Sequence, residues 1–68
     1  MTLSARNHLQ GPIEEVQFGD VLAHVTVKVA GGTIESVITR RSAQEMGLKK
    51  GDTVTAVIKA TEVMISKP

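Results

Sequence analysis

The clearest pattern along the chain is a regular alternation over residues 21–30, where valine and alanine take turns with a mostly polar set of side chains. Successive side chains of a strand point to opposite faces, so this period of two predicts a long, half-buried β-strand. Gly31-Gly32 follows directly and suits a tight turn with positive φ. Residues 33–39 alternate again and are rich in β-branched side chains. The sequence therefore predicts a β-hairpin that ends at residue 39.

Shorter stretches on either side of the hairpin show the same period. Turns rich in glycine and aspartate separate further predicted strands at residues 3–9, 13–18, 53–59 and 63–66. One short helix is predicted over residues 42–47, because Ser42 stands three residues before Glu45 in a capping-box pattern. Gly47 then supplies the left-handed residue that ends many helices, and Leu48 is placed for the accompanying hydrophobic contact.

This order of elements indicates the fold class. Short strands separated by turns are typical of closed or nearly closed barrels. A helix inserted before the last strands is the arrangement of the OB-fold. The expected fold is therefore all-β, a small five-stranded OB-like barrel with one short helix between the hairpin and the last two strands. Residues 1–68 are expected to form a single domain.

The length and composition predict self-association. A domain of 68 residues buries only about 60% of its unfolded surface and is marginally stable alone. Disulfides, metals or oligomerisation are the usual remedies. The chain has no cysteine and only two histidines, so neither a disulfide nor a thiolate metal site is available. We expect a homo-oligomer without direct cation ligands.

Charge and composition exclude several classes of protein. A net charge of +1 and a single aromatic residue, Phe18, argue against nucleic-acid binding, which favours a basic face with aromatic stacking platforms. No apolar run approaches the roughly 20 residues of a membrane span, and no export signal opens the chain. The expectation is a cytoplasmic protein that binds neither membrane nor nucleic acid. Motifs for nucleophilic or acid–base catalysis are absent, so an enzyme is not expected.

The remaining polar residues suggest anion binding. Ser4 and Arg6 are two apart, so on a strand they share one face and present a hydroxyl beside a guanidinium. Thr39 and Ser42 flank the predicted helix start, and Lys59 closes a strand. Donors from several directions with a positive field suit a tetrahedral oxyanion. These residues do not choose between sulfate, phosphate, molybdate and tungstate, and each also has an ordinary role as a cap, a strand residue or a solvated charge.

Several segments carry a resemblance to a known family, and the two most specific are the opening Ser4-Ala5-Arg6-Asn7 and the closing residues 56–64. The other matching positions are Gly11, Gly31-Gly32, Val37-Ile38-Thr39 with Ser42, and Leu48 with Gly51. With these segments at this spacing, the chain resembles the molbindins, small molybdate-binding proteins, over nearly its whole length. The resemblance implies an OB-like domain that binds molybdate, or tungstate, between the subunits of a hexamer built as a trimer of dimers. The implied ligands are Ser4, Arg6, Lys59 and Ala60 from one subunit, and Thr39 and Ser42 from its neighbour.

The resemblance and the chain length imply two further features of the expected site. Ala60 stands where some relatives have serine, so only its backbone N–H could contact the anion. Exchange of the first strand between subunits would place donors from two chains together, which couples assembly to binding. The alternatives are a nucleic-acid-binding OB module, a swapped-hairpin dimeric transcription factor that contacts phosphates through Arg40-Arg41, and a structural oligomer without a ligand.

Overall fold

The computed structural model describes residues 4–68, and these form one curled antiparallel sheet with a short helix. The elements are β1 (Asn7–Phe18), β2 (Leu22–Val29), β3 (Gly32–Thr39), α1 (Arg40–Glu45), β4 (Thr53–Ile58) and a 3₁₀ turn at Ala60–Glu62. The strands lie in the order β3-β2-β1-β4, so β3 and β4 are the edge strands. The mostly β character is as expected. Within residues 4–68, no helix has the length and apolar character needed to cross a membrane.

The predicted hairpin is confirmed. β2 and β3 pair from Leu22 with Thr39 down to Val29 with Gly32, and Gly31 in the turn has a φ of 89°. The alternation read from the sequence gives β2 one buried face, formed by Ala23, Val25 and Val27. Val25 and Val27 pack with Ile13 of β1 to form the centre of a small core without aromatic residues.

β1 corrects the prediction at the start of the chain. The segments predicted as two strands, residues 3–9 and 13–18, form a single strand from Asn7 onward, although Leu3 lies outside the described residues. Its first half pairs with β4, from Asn7 to Pro12, and its second half pairs with β2. Gly11-Pro12 therefore marks a change of partner and not a break. Pro12 is tolerated because it occupies the last pair with β4, where a missing N–H disrupts the ladder least.

Gly11 allows the two halves of the sheet to approach closely. It is buried, and a Cβ atom added to it would lie 1.8 Å from the carbonyl oxygen of Lys28 in β2. The added Cβ would be attached directly to the backbone of β1, and the Lys28 oxygen is part of the backbone of β2. The clash could therefore be relieved only by moving a strand. The bend of β1 over β2 thus depends on the absence of a side chain at this position.

We expect Gly11→Ala to lower the free energy of unfolding by about 2 kcal/mol, because forcing extra volume into a packed site shifts the backbone. Urea unfolding followed by circular dichroism measures the change. Gly31→Ala is the matched control, since no atom lies within 4 Å of its added Cβ and only positive φ opposes the side chain. The control should cost about 1 kcal/mol. Equal losses in both variants would contradict the close approach at Gly11.

The helix begins two residues earlier than predicted. α1 spans Arg40–Glu45, and its N-cap is Thr39, whose hydroxyl accepts a hydrogen bond from the Ser42 N–H at 3.0 Å. Ser42, the predicted cap, lies inside the first turn. The predicted end is correct in type, because Gly47 has a φ of 62°. The amide of Leu48 donates to the Ala43 carbonyl and that of Gly47 to the Gln44 carbonyl, which is a Schellman ending.

The end of the chain differs most from the prediction. Residues 63–66, predicted as a strand, pair with no strand of the described chain, so the sheet has four strands and not five. The curled sheet is a half-barrel. A groove of about 220 Å³ remains on its inner side, with β2, β3, β4 and the residues after α1 as its walls. Meanwhile Met64 and Ile65 are 92% and 90% exposed.

Candidate anion site

Four of the six predicted ligands lie at one end of the β1–β4 ladder. The ladder ends at the pair Asn7 and Ile58. Arg6 directly precedes Asn7 and Lys59 directly follows Ile58, so the two cations extend from the same terminal pair. Ser4 lies in a bend just before, and Ala60 begins the 3₁₀ turn. Ser4 and Arg6 therefore precede the strand, and the prediction that they share a strand face is wrong. We call these four residues the N-terminal donor group: Ser4, Arg6, Lys59 and Ala60.

This group offers exposed positive charge and free donors. The side chains of Arg6 and Lys59 are exposed, and neither is among the ion pairs found within residues 4–68. The first N–H groups of a helical turn lack a partner within the turn, so the amide of Ala60 is available at the start of Ala60–Glu62. Two cations, a hydroxyl and an amide are thus carried by neighbouring stretches of backbone.

The other two predicted ligands form a pair at the start of α1, which we call the helix-start pair: Thr39 and Ser42. The Thr39 hydroxyl donates to Ser42 Oγ at 2.8 Å and accepts from the Ser42 N–H at 3.0 Å. Its hydroxyl hydrogen is therefore already used within the chain. Ser42 Oγ accepts from Thr39 and keeps its own hydrogen, so Ser42 is the better placed of the two to donate to a ligand.

Loss of this cap gives a modest and measurable effect. We expect Thr39→Ala to reduce the free energy of unfolding by about 1 kcal/mol, because it removes the acceptor for the Ser42 N–H. Thr33→Ala is the matched control, since Thr33 is an exposed residue of the same strand at the hairpin end. Urea unfolding of both variants measures the difference. A cost at Thr33 equal to that at Thr39 would contradict a specific capping role.

The structure does not bring the two groups together within one chain. Asn7 of β1 lies beside the N-terminal donor group, whereas Phe18, at the far end of the same strand, pairs with Ala23, next to Leu22, the partner of Thr39. Twelve strand residues span roughly 40 Å if straight, and the curl still leaves a molecule 35 Å long. The length of this strand separates the two groups within one copy, so we expect an anion that contacts both to take its donors from two copies.

The two arginines next to the helix-start pair are engaged within the chain. The Arg40 guanidinium lies 5.7 Å from the centroid of the Phe18 ring and donates from Nη1 to the Gly19 carbonyl at 3.0 Å. Arg41 Nε donates to Glu45 at 3.0 Å. These contacts weigh against the alternative in which Arg40-Arg41 contacts the phosphates of a nucleic acid.

The sequence pattern does not reveal one contact beside the N-terminal donor group. In the sequence Asn7 is only a part of the opening motif, but in the fold its side chain donates a hydrogen bond to the backbone carbonyl of Ile58, next to Lys59. No local pattern reports a contact between residues 51 positions apart. Only the register of β1 against β4 reveals it.

Comparison with known proteins identifies the family. Residues 3–65 match the TOBE domain. The chain belongs to the TOBE domain family. It is 46% identical over 66 residues to molybdenum-pterin-binding protein 1 of Clostridium pasteurianum, a match that covers 96% of this chain and 97% of that relative. The resemblance to the molbindins expected from the sequence is thereby confirmed.

Solved structures agree with this assignment. A molybdate-binding protein from Sporomusa ovata superimposes with a TM-score of 0.93 at 36% identity, over 98% of this chain and 100% of that chain. The cytoplasmic molybdate-binding protein ModG, in a form with molybdate bound, superimposes with a TM-score of 0.83 at 44% identity. The match covers 88% of this TOBE chain and 43% of ModG.

Proposed function

We propose that this chain binds molybdate, and tungstate as its close analogue, at sites between subunits of a homo-oligomer. The observation that carries the proposal is the N-terminal donor group, where the exposed Arg6 and Lys59 lie beside the Ser4 hydroxyl and the Ala60 amide. Charge-assisted hydrogen bonds from such donors are the strong ones for an oxyanion. The molybdate-binding relatives of similar fold add the identity of the anion.

The separation of the two donor groups supports an intersubunit site. The N-terminal donor group lies where the β1–β4 ladder ends, and the helix-start pair lies near the far end of β1. If both contact one anion, they must come from different copies. The helix-start pair, in which the Thr39 hydroxyl donates to Ser42 Oγ, would then supply the Ser42 hydroxyl hydrogen from the neighbouring subunit.

The half-barrel supports a specific mode of assembly. β1 pairs on both sides with strands of its own chain, so exchanging it would break two ladders. Residues 63–66 can be donated without breaking any strand pairing, and they carry the exposed Met64 and Ile65. We therefore replace the expected exchange of the first strand with exchange of the C-terminal segment. In this arrangement the donated segment lies along the apolar groove of a second copy and completes a five-stranded OB-like barrel.

The assembly that we propose is a hexamer, a trimer of such dimers, that stores or buffers the anion in the cytoplasm without catalysing a reaction. A cytoplasmic place is supported by ModG, which is named a cytoplasmic molybdate-binding protein. A nucleic-acid-binding module is the less favoured alternative, because Phe18 is the single aromatic residue and it packs under Arg40.

Native mass spectrometry tests the proposal directly, since it reports subunit number and bound anions together. We expect a hexamer that gains mass in molybdate steps when molybdate is added, and no comparable gain with an equal concentration of sulfate. A monomer whose mass is unchanged by molybdate would refute both the assembly and the ligand. A hexamer without added mass would refute the ligand alone.

A further inference from the structure

The side chain of Asn7 makes a hydrogen bond between β1 and β4 at the end of their ladder. Its Nδ2 donates to the carbonyl oxygen of Ile58 at 3.2 Å, and the side chain is half-buried. Asn7 and Ile58 are also the final pair of the β1–β4 ladder. Arg6 immediately precedes the first of them and Lys59 immediately follows the second, so this hydrogen bond lies one residue away from each cation of the N-terminal donor group.

The strand pairing of β1 with β4 does not continue beyond this pair. Between residues 4–6 and 59–62 there is no backbone hydrogen bond in the described part of the chain. The His8 ring Nε2 lies 3.1 Å from the carbonyl oxygen of Ala5, which can only accept, so the ring donates. That contact ties the donor segment to β1 alone. Asn7 is thus the side chain that links the segment bearing Arg6 to the strand bearing Lys59.

We propose that Asn7 is a positioning residue, which fixes Arg6 relative to Lys59 before the anion arrives. The inference rests on the proposed function and adds to it a residue that acts without using this donor on the ligand, because the hydrogen of Asn7 that points to Ile58 is already engaged. Without the bond, the two segments sample more arrangements, and binding must order them. A site held in advance binds more tightly because that ordering cost is removed.

The first experiment compares molybdate binding by calorimetry in Asn7→Ala and in Gln17→Ala, a matched loss of an exposed amide on the same strand. We expect Asn7→Ala to bind about fivefold more weakly, the effect of one neutral hydrogen bond, and Gln17→Ala to stay within twofold of wild type. Asn7→Ser keeps a polar group that is too short to reach Ile58, so it should show the same fivefold loss. It serves as the test variant if Asn7→Ala folds poorly. Wild-type affinity in both Asn7 variants would overturn the inference.

The second experiment separates positioning from a general effect on folding. The Asn7→Ala change is repeated in an Arg6→Lys background, where the charge is kept and the planar fork, which needs alignment, is lost. We expect the fivefold loss to shrink below twofold there, which is the signature of two coupled residues. The same fivefold loss in both backgrounds would show a merely structural role and overturn the inference. Failure of the wild type to bind molybdate would instead refute the proposed function.

Discussion

Arg6→Ala is expected to weaken molybdate binding roughly 100-fold. Arg6 supplies a guanidinium that no carboxylate within residues 4–68 neutralises, and it extends from the last pair of the β1–β4 ladder beside Lys59. Removing it deletes charge-assisted hydrogen bonds and half of the positive charge of the N-terminal donor group. Isothermal titration calorimetry of molybdate into the wild type and the variant, in the same buffer and salt, measures the ratio.

Arg41→Ala is the matched control for charge. Arg41 is an exposed arginine that pairs with Glu45 and belongs to neither donor group, so its loss should change the affinity less than threefold. Raising the salt concentration should weaken wild-type binding if the site is open to solvent, because exposed charges are screened. Binding by Arg6→Ala as tight as by the wild type would show that the donor group has been misassigned.

The sequence predicted those elements whose pattern is local. The hairpin of β2 and β3 followed from strict alternation and from Gly31-Gly32, and its inner face is the buried one. The helix ending at Gly47 followed from a residue type that favours left-handed backbone. Its start was misplaced by two residues, because Thr39 and Ser42 are both capping residues and the choice between them depends on where β3 ends.

What could not be predicted depends on contacts between distant residues. Gly11-Pro12 reads as a break in any local window, yet the strand continues because its two halves pair with different neighbours. Residues 63–66 have the composition of a strand, but no edge of the same chain receives them. The resemblance to the molbindins already implied that the donor residues fall into these two groups, but their positions near opposite ends of β1 follow only from the strand register.

The second large effect is expected at the C-terminal segment. Met64→Asp combined with Ile65→Asp should convert the oligomer to monomers and remove detectable molybdate binding. In a single chain these two side chains are almost fully exposed, and burying each in a groove of another copy contributes about 1.5–3 kcal/mol. Carboxylates placed in that apolar groove would be desolvated without partners. Light scattering coupled to size-exclusion chromatography gives the subunit number, and calorimetry gives the binding.

The control is the pair Met64→Leu and Ile65→Val, which keeps the segment apolar and should preserve both assembly and binding. Because residues 63–68 contribute no strand pairing to their own chain, the aspartate variant should retain the circular dichroism signal of its own four strands while it dissociates. Loss of binding together with assembly is the result that an intersubunit site requires. A monomeric aspartate variant with wild-type molybdate affinity would place the whole site within one chain. An aspartate variant that remains hexameric would exclude the segment from the interface.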